Sequence, residues 1–286
     1  MLPCLAWMGT KTLLAAREKT GKTTLVMAAV AAMTTGRPFL QQDTTPSTVL
    51  WMTEEPPSIL VKRAKEFGAD PDRLYILPMG KSPTAQLKVA VQHLNPGLIV
   101  IDTLYRFAMI EDENEAGAWL PTVLMLDEIT QGGTAVLLLA HSQKSESGEY
   151  RGSTAIGGYV DAILTMGRPK DGETLRRIRG KGRLDLGKPF IVQLAGNTFN
   201  LVDEVQEETI QRSDREKQVM QRLQKGITNT ASLVSGMRRQ DGLKVLETLE
   251  QQKIIQRAGR GWRLVEASDD FTTVSDGGTN VNENKQ

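Results

Sequence analysis

The run Ala16-Arg17-Glu18-Lys19-Thr20-Gly21-Lys22-Thr23-Thr24 sets a glycine, a lysine and two hydroxyls at the spacing of a phosphate loop. Backbone N–H groups of such a loop converge at a helix N-terminus and hold an anion there. Lys22 would supply the cation between the β- and γ-phosphates of ATP, Thr23 a hydroxyl for Mg²⁺, and Gly21 room for close backbone approach. One position departs from the pattern G-x-x-x-x-G-K-[ST]: Ala16 stands where the first glycine falls. If that position requires positive φ, alanine costs about 1 kcal/mol. About eighty residues further on, Leu98-Ile99-Val100-Ile101 delivers Asp102 to the end of an apolar run, where its carboxylate would hold Mg²⁺ through water. Between them, Trp51-Met52-Thr53 ends in Glu54 and Glu55 and is then stopped by two prolines. A carboxylate there could polarise an attacking water. It could equally be a solvated acid favoured by the dipole of the following helix.

Each of these residues must be delivered by an element. Apolar runs at 12–16, 48–53, 74–77, 98–101, 134–140 and 160–166 read as strands. Amphipathic stretches at 22–35, 57–67, 83–93 and 115–131 read as the helices between the first five. Such alternation predicts βαβ units and a mostly parallel sheet. The runs 98–101 and 134–140 are almost continuously apolar, as strands covered on both faces must be. After Met166 come three consecutive strand-like runs, 174–179, 190–194 and 198–202, which predict an antiparallel extension. The phosphate loop then lies between strand and helix, and Asp102 on the carboxyl edge of the sheet, where open α/β sheets gather ligands.

At Glu54 the sequence resembles the RecA-fold AAA ATPases typified by plasmid RepA-type hexameric replicative helicases. The resemblance spans about Leu13–Val202. It implies that Glu54, the first acid after the strand, is the catalytic base, and Glu55 only its neighbour. It implies that His141, in Ala140-His141-Ser142-Gln143-Lys144, senses the γ-phosphate; a structural or surface histidine is the plain alternative. It implies that Lys181 and Arg183, in Arg179-Gly180-Lys181-Gly182-Arg183, reach into a neighbouring subunit's site, with Arg177 and Arg179 as nearby competitors. Loops in the region of Ser145–Gly158, which includes Arg151-Gly152-Ser153, line the central channel of such motors and touch nucleic acid. An ordinary loop is the alternative there. The resemblance further implies a homo-oligomer, a hexamer, acting on single-stranded DNA.

Composition bounds the rest. The chain has 286 residues, 40% hydrophobic, with 35 Lys+Arg against 34 Asp+Glu. One cysteine and two histidines leave no intramolecular disulfide and no zinc cluster, which suits a reducing, cytoplasmic setting. Met1–Met8 lacks a basic segment and a long apolar core, so no secretory signal is expected. The longest apolar run, Val26–Met33, is far below a membrane span. The eleven residues ahead of the first strand are expected to hold no helicase N-terminal domain. The acid-rich Glu111–Glu115 reads as a solvated loop rather than a metal site.

Neutral overall, the charge is unevenly spread. Ser213–Glu266 carries 11 Lys/Arg against 6 Asp/Glu, while 267–286 holds four acids and one base. Helical patterns at 214–225, 230–235 and 239–251, with Leu243, Leu246 and Leu249 as the apolar side of the last, precede a hairpin at 254–265 bearing Arg257, Arg260 and Arg263. That outline predicts a winged helix. The expected organisation is a RecA-like P-loop ATPase domain over 1–205, a linker over 206–213, a winged-helix-like domain over 214–266 and a disordered tail over 267–286. In one reading the protein is a helicase-like ring motor in plasmid, phage or mobile-element replication. In the other it is an ATP-switched DNA-binding regulator whose winged helix grips duplex DNA.

Overall fold

The computed structural model describes residues 4–110, 115–142, 154–169 and 173–265. Two compact units divide the chain, Met1–Gln211 and Arg212–Gln286. In the first, β1 (Lys11–Ala16) leads through the glycine-containing loop into α1 (Lys22–Thr35). Then follow β2 (Val49–Thr53), α2 (Pro57–Phe67), β3 (Leu74–Pro78), α3 (Pro83–Leu94), β4 (Leu98–Asp102) and α4 (Leu104–Ala108). The series continues with α5 (Ala116–Gln131), β5 (Ala135–His141), α6 (Thr154–Gly157), β6 (Ala162–Gly167), β7 (Leu175–Gly182), β8 (Phe190–Ala195) and β9 (Thr198–Val202).

The nine strands form one sheet in the order β3-β2-β4-β5-β1-β6-β7-β8-β9. The first six are mutually parallel, and β7, β8 and β9 add on antiparallel. This is the mostly parallel sheet with an antiparallel extension that the hydrophobic pattern predicts. The apolar runs are continuous because successive side chains enter different cores. Leu98 and Val100 join the cluster under α1 and α2, while Ile99 and Ile101 join the one under α3, α4 and α5. Helix α1 is buried nearly all round, which its Ala-rich sequence permits.

The stretch 206–213, expected as a linker, is helical: α7 runs unbroken from Glu204 to Gln224. A capping box starts it. The Asp203 carboxylate accepts from the Gln206 N–H at 2.7 Å, and the Gln206 side chain accepts from the Asp203 N–H at 3.1 Å. The Glu/Gln-rich composition that reads as a linker is also a run of good helix formers.

The second unit packs Val219 and Leu223 of α7 with α8 (Thr230–Leu233), α9 (Arg239–Gln251) and a hairpin of β10 (Ile255–Ala258) and β11 (Gly261–Leu264). The buried side of α9 is Gly242, Val245, Leu246 and Leu249; Leu243, expected on it, is exposed. The spacing i, i+3, i+4, i+7 is the helical one, which the i, i+3, i+6 reading missed. Trp262 anchors the hairpin, its indole N–H donating to the Thr230 hydroxyl at 3.1 Å. The tail beyond Val265 lies outside the described residues, as do Glu111–Asn114 of the acidic stretch and 145–153 of the expected contact loop.

Candidate functional site

Strand β1 lies between β5 and β6, so its carboxyl end opens into the middle of the sheet edge. Ala16 ends that strand, buried, paired with His141 on one side and Met166 on the other. As an ordinary strand residue it carries none of the anticipated strain. The left-handed residues of the loop are Lys19, at φ 57°, and Gly21, at φ 95°. Arg17, Glu18 and Lys19 are exposed, whereas Thr20 is buried. Gly21 is the N-cap of α1, so the loop passes directly into the helix start that an anion requires.

Lys22 folds back from the first turn of α1. Its ammonium donates to the Ala16 carbonyl and to the His141 Nδ1, both at 3.2 Å. Burial pulls the Lys22 pKa below its usual value, against the opposing pull of Asp102 and Glu18. Burial, and then the Lys22 charge, likewise lower the pKa of His141, so its ring is neutral near pH 7 and able to accept. The Thr23 hydroxyl donates to the Asp102 carboxylate at 2.9 Å. Asp102 closes β4 with only 7% of its surface exposed, and that burial pushes its pKa up to about 6 in spite of Thr23 and Lys22. A carboxylate and a hydroxyl side by side are hard oxygen donors. They suit a Mg²⁺ ion that takes the rest of its shell from phosphate and water.

Strand β2 ends beside β4, with Thr53 in register with Asp102. The Glu54 N–H donates to the Asp102 carbonyl at 2.9 Å, and the Thr103 hydroxyl donates to the Glu54 carboxylate at 3.2 Å. Glu54 is exposed at this edge. Glu55 turns away into an ion pair with Arg63 of α2 at 3.1 Å. The two acids, indistinguishable by type, are thus sorted by geometry.

Lys181 and Arg183 do not join this cluster. Strand β7 runs away from the loop: Arg177 pairs with Gly167 near it, whereas Lys181 pairs with Ile163 toward the other end. Arg183 lies beyond, 3.5 Å from the Asp161 carboxylate and with its guanidinium on the Gly158 carbonyl. Arg177 forms an ion pair with Glu207 at 2.7 Å, and with Arg179 it lines a cleft of about 610 Å³ that none of the phosphate-loop residues borders.

Two arginines that no motif announces do reach the loop. Arg168 donates to the Lys19 carbonyl at 2.8 Å, and the guanidinium of buried Arg176 donates to the Thr20 carbonyl. For Arg176 the signal in sequence is only an arginine at an inward position of a strand, and Arg168, exposed just past β6, carries none. Thr103, which holds Glu54, was also missed.

A family model described as AAA domain matches residues 5–147. A KaiC-like protein from the hyperthermophilic archaeon Pyrococcus horikoshii has a similar solved structure, with a TM-score of 0.55 and 17% identity, covering 68% of this chain and 90% of that one. At that identity the likeness concerns the fold. No curated protein matches.

Proposed function

This chain belongs to the AAA-domain family, whose model spans residues 5–147, and from that premise we propose that it is a Mg²⁺-dependent ATPase that works on DNA as a homo-oligomer. The observation that carries the reading is the convergence of Lys22, Thr23, Asp102, His141 and Glu54 at one edge of the sheet, from four separate strand ends. Lys22 and the backbone N–H groups of the loop hold the triphosphate. Thr23 and Asp102 would hold Mg²⁺, which would supply positive charge against the charge developing on the phosphates. Glu54 orients the attacking water and takes up its proton, with its carboxylate fixed by Thr103. His141 shares the Lys22 ammonium, so a γ-phosphate that claims Lys22 changes the contact made by His141 at the end of β5. That is the sensor role.

Lys181 and Arg183 act in trans in this reading. Their position toward the far end of β7 supports a role outside the chain's own site, and an arginine offered to a neighbour ties hydrolysis to assembly. The second unit, helices followed by a hairpin, acts as a winged helix on DNA. Supporting this, Arg238, Arg239 and Lys244 of the α9 region and Arg257, Arg260 and Arg263 of the hairpin are all exposed. Arg257 also stacks over Trp262 at 4.6 Å. The same basic hairpin favours a second reading, in which ATP switches duplex binding and no unwinding occurs.

The deciding experiment is steady-state ATP hydrolysis with and without single-stranded DNA. Mg²⁺-dependent turnover, abolished in Lys22→Ala and stimulated by single strands, is expected. Weak turnover combined with ATP-dependent duplex binding would shift the assignment to the switch. An absence of Mg²⁺-dependent turnover under all these conditions sinks both.

A further inference from the structure

Arg176 is 8% exposed, at the start of the antiparallel strand β7, and spends its guanidinium on three backbone carbonyls. Nε donates to Thr20, and Nη1 donates to Glu173 and Leu175, each of the latter at 2.7 Å. Two of these acceptors belong to the approach to β7 itself and lock the side chain in place. The third belongs to the phosphate loop, more than 150 residues earlier in the chain. Burying so strongly hydrated a group is costly unless its donors are used, and here they are used on backbone. Burial, and then the neighbouring charge of Arg168, bring its pKa down to about 10, so it remains a cation beside the loop at neutral pH.

The consequence for the loop follows from peptide geometry. In a trans peptide the C=O and the next N–H point in opposite directions. With the Thr20 carbonyl drawn outward onto Arg176, the Gly21 N–H must face the inner side of the loop, where an anion binds. Gly21 is the residue in the left-handed region, with φ 95°, and a Cβ placed on it would stand 3.7 Å from Arg176 Nε. Arg168 repeats the arrangement one peptide earlier, on the Lys19 carbonyl, while the Thr20 N–H closes a turn onto the Arg17 carbonyl at 3.3 Å. The two arginines come one from just after β6 and one from the start of β7, and each holds a carbonyl of the loop.

We propose that Arg176 is a positioning residue of the phosphate loop, setting the Thr20–Gly21 peptide so that its N–H is presented to the nucleotide phosphates before they arrive. The proposal rests on reading Ala16–Thr24 as the nucleotide site. It concerns binding of the phosphate chain, not of the base. Its strength comes from preorganisation: without the clamp, the peptide must be reoriented at the expense of binding.

The test uses the full chain, with fluorescent mant-ADP as direct probe and inorganic tripolyphosphate as competitor, alongside melting temperatures without ligand. The wild type is expected to bind both probes. Arg176→Met should weaken both by about tenfold, the scale of one charge-assisted hydrogen bond, with its unliganded melting temperature within about 3 °C of wild type. Arg176→Lys, whose single ammonium cannot span three carbonyls, should weaken tripolyphosphate by roughly threefold. Amide exchange of the peptide covering Thr20–Thr24 should quicken in both variants. Wild-type tripolyphosphate affinity in Arg176→Met overturns the proposal. So does a collapse of melting temperature in both variants, which would make Arg176 a support of the fold. Should Arg176→Met alone fail to fold, wild-type affinity in Arg176→Lys overturns it just the same. Failure of the wild type to bind either probe would instead remove the nucleotide-site reading.

Discussion

Replacing Asp102 by asparagine removes one charge and keeps a side chain of nearly the same shape, able to accept the Thr23 hydroxyl as the carboxylate does at 2.9 Å. In the nucleotide-free protein that charge is a burden. Burial raises the Asp102 pKa from 3.8 to about 6. An acid whose folded pKa lies above its unfolded one binds protons more readily when folded. Stability therefore falls as pH rises from about 4 to about 6, and the loss stays constant above that range. Two pKa units correspond to about 3 kcal/mol. Part of that gain is returned, because buried Lys22 loses the neighbouring charge that opposes its own desolvation. A net gain of about 1–3 kcal/mol is expected for Asp102→Asn near pH 7.5, or several degrees in melting temperature for a unit of this size. The assay is thermal unfolding by circular dichroism in EDTA, without nucleotide, from pH 4 to pH 8. The variant should melt higher at pH 7.5, and the difference should vanish by about pH 4. Its ATP hydrolysis should be lost, since the carboxylate that would hold Mg²⁺ is gone. An Asp102→Asn protein that melts at or below the wild type at pH 7.5 would refute the reasoning that the site stores an unfavourable charge for its ligand.

Other perturbations separate neighbours that the sequence leaves alike. Glu54→Gln should keep mant-ATP binding and lose turnover by roughly 10²–10⁴-fold, whereas Glu55→Gln, which only breaks the pair with Arg63, should turn over ATP nearly as wild type does. Equal losses in both, measured by phosphate release, would undo the assignment of the base. Ala16→Gly restores the familiar glycine but at a buried strand position, so it should lower stability by about 1 kcal/mol and leave nucleotide affinity unchanged; tighter binding on titration would show that Ala16 restrains the loop. The triple change of Arg257, Arg260 and Arg263 to alanine should weaken duplex binding and flatten its salt dependence by up to about three units of slope, read by fluorescence anisotropy across a salt series. An unchanged slope would place the duplex contact elsewhere.

Much of this molecule is written locally. The loop from Ala16 to Thr24, the apolar runs that become β4 and β5, and the α1, α2 and α9 boundaries follow from residue type and periodicity over short windows, because backbone preference and face alternation are local properties. Asp203 and Gln206 were equally legible as a capping box, and the polar composition of 206–213 hid them. Other features depend on which strands become neighbours. Lys22 and His141 are 119 residues apart, and Thr23 and Asp102 are 79 apart; they meet because β1 inserts beside β5, and β4 lies on the other side of β5. No periodicity distinguishes Glu54 from Glu55, since that depends on Thr103, brought in from 49 residues away, and on how the following helix turns Arg63 onto Glu55. Nor could any motif foretell that Ala16 is extended and that Arg176 holds the loop. The sequence by itself determined the chemistry carried at the strand ends. The tertiary structure alone decided which of those groups meet, because side-chain contact is set by strand order and register, to which distant segments contribute equally.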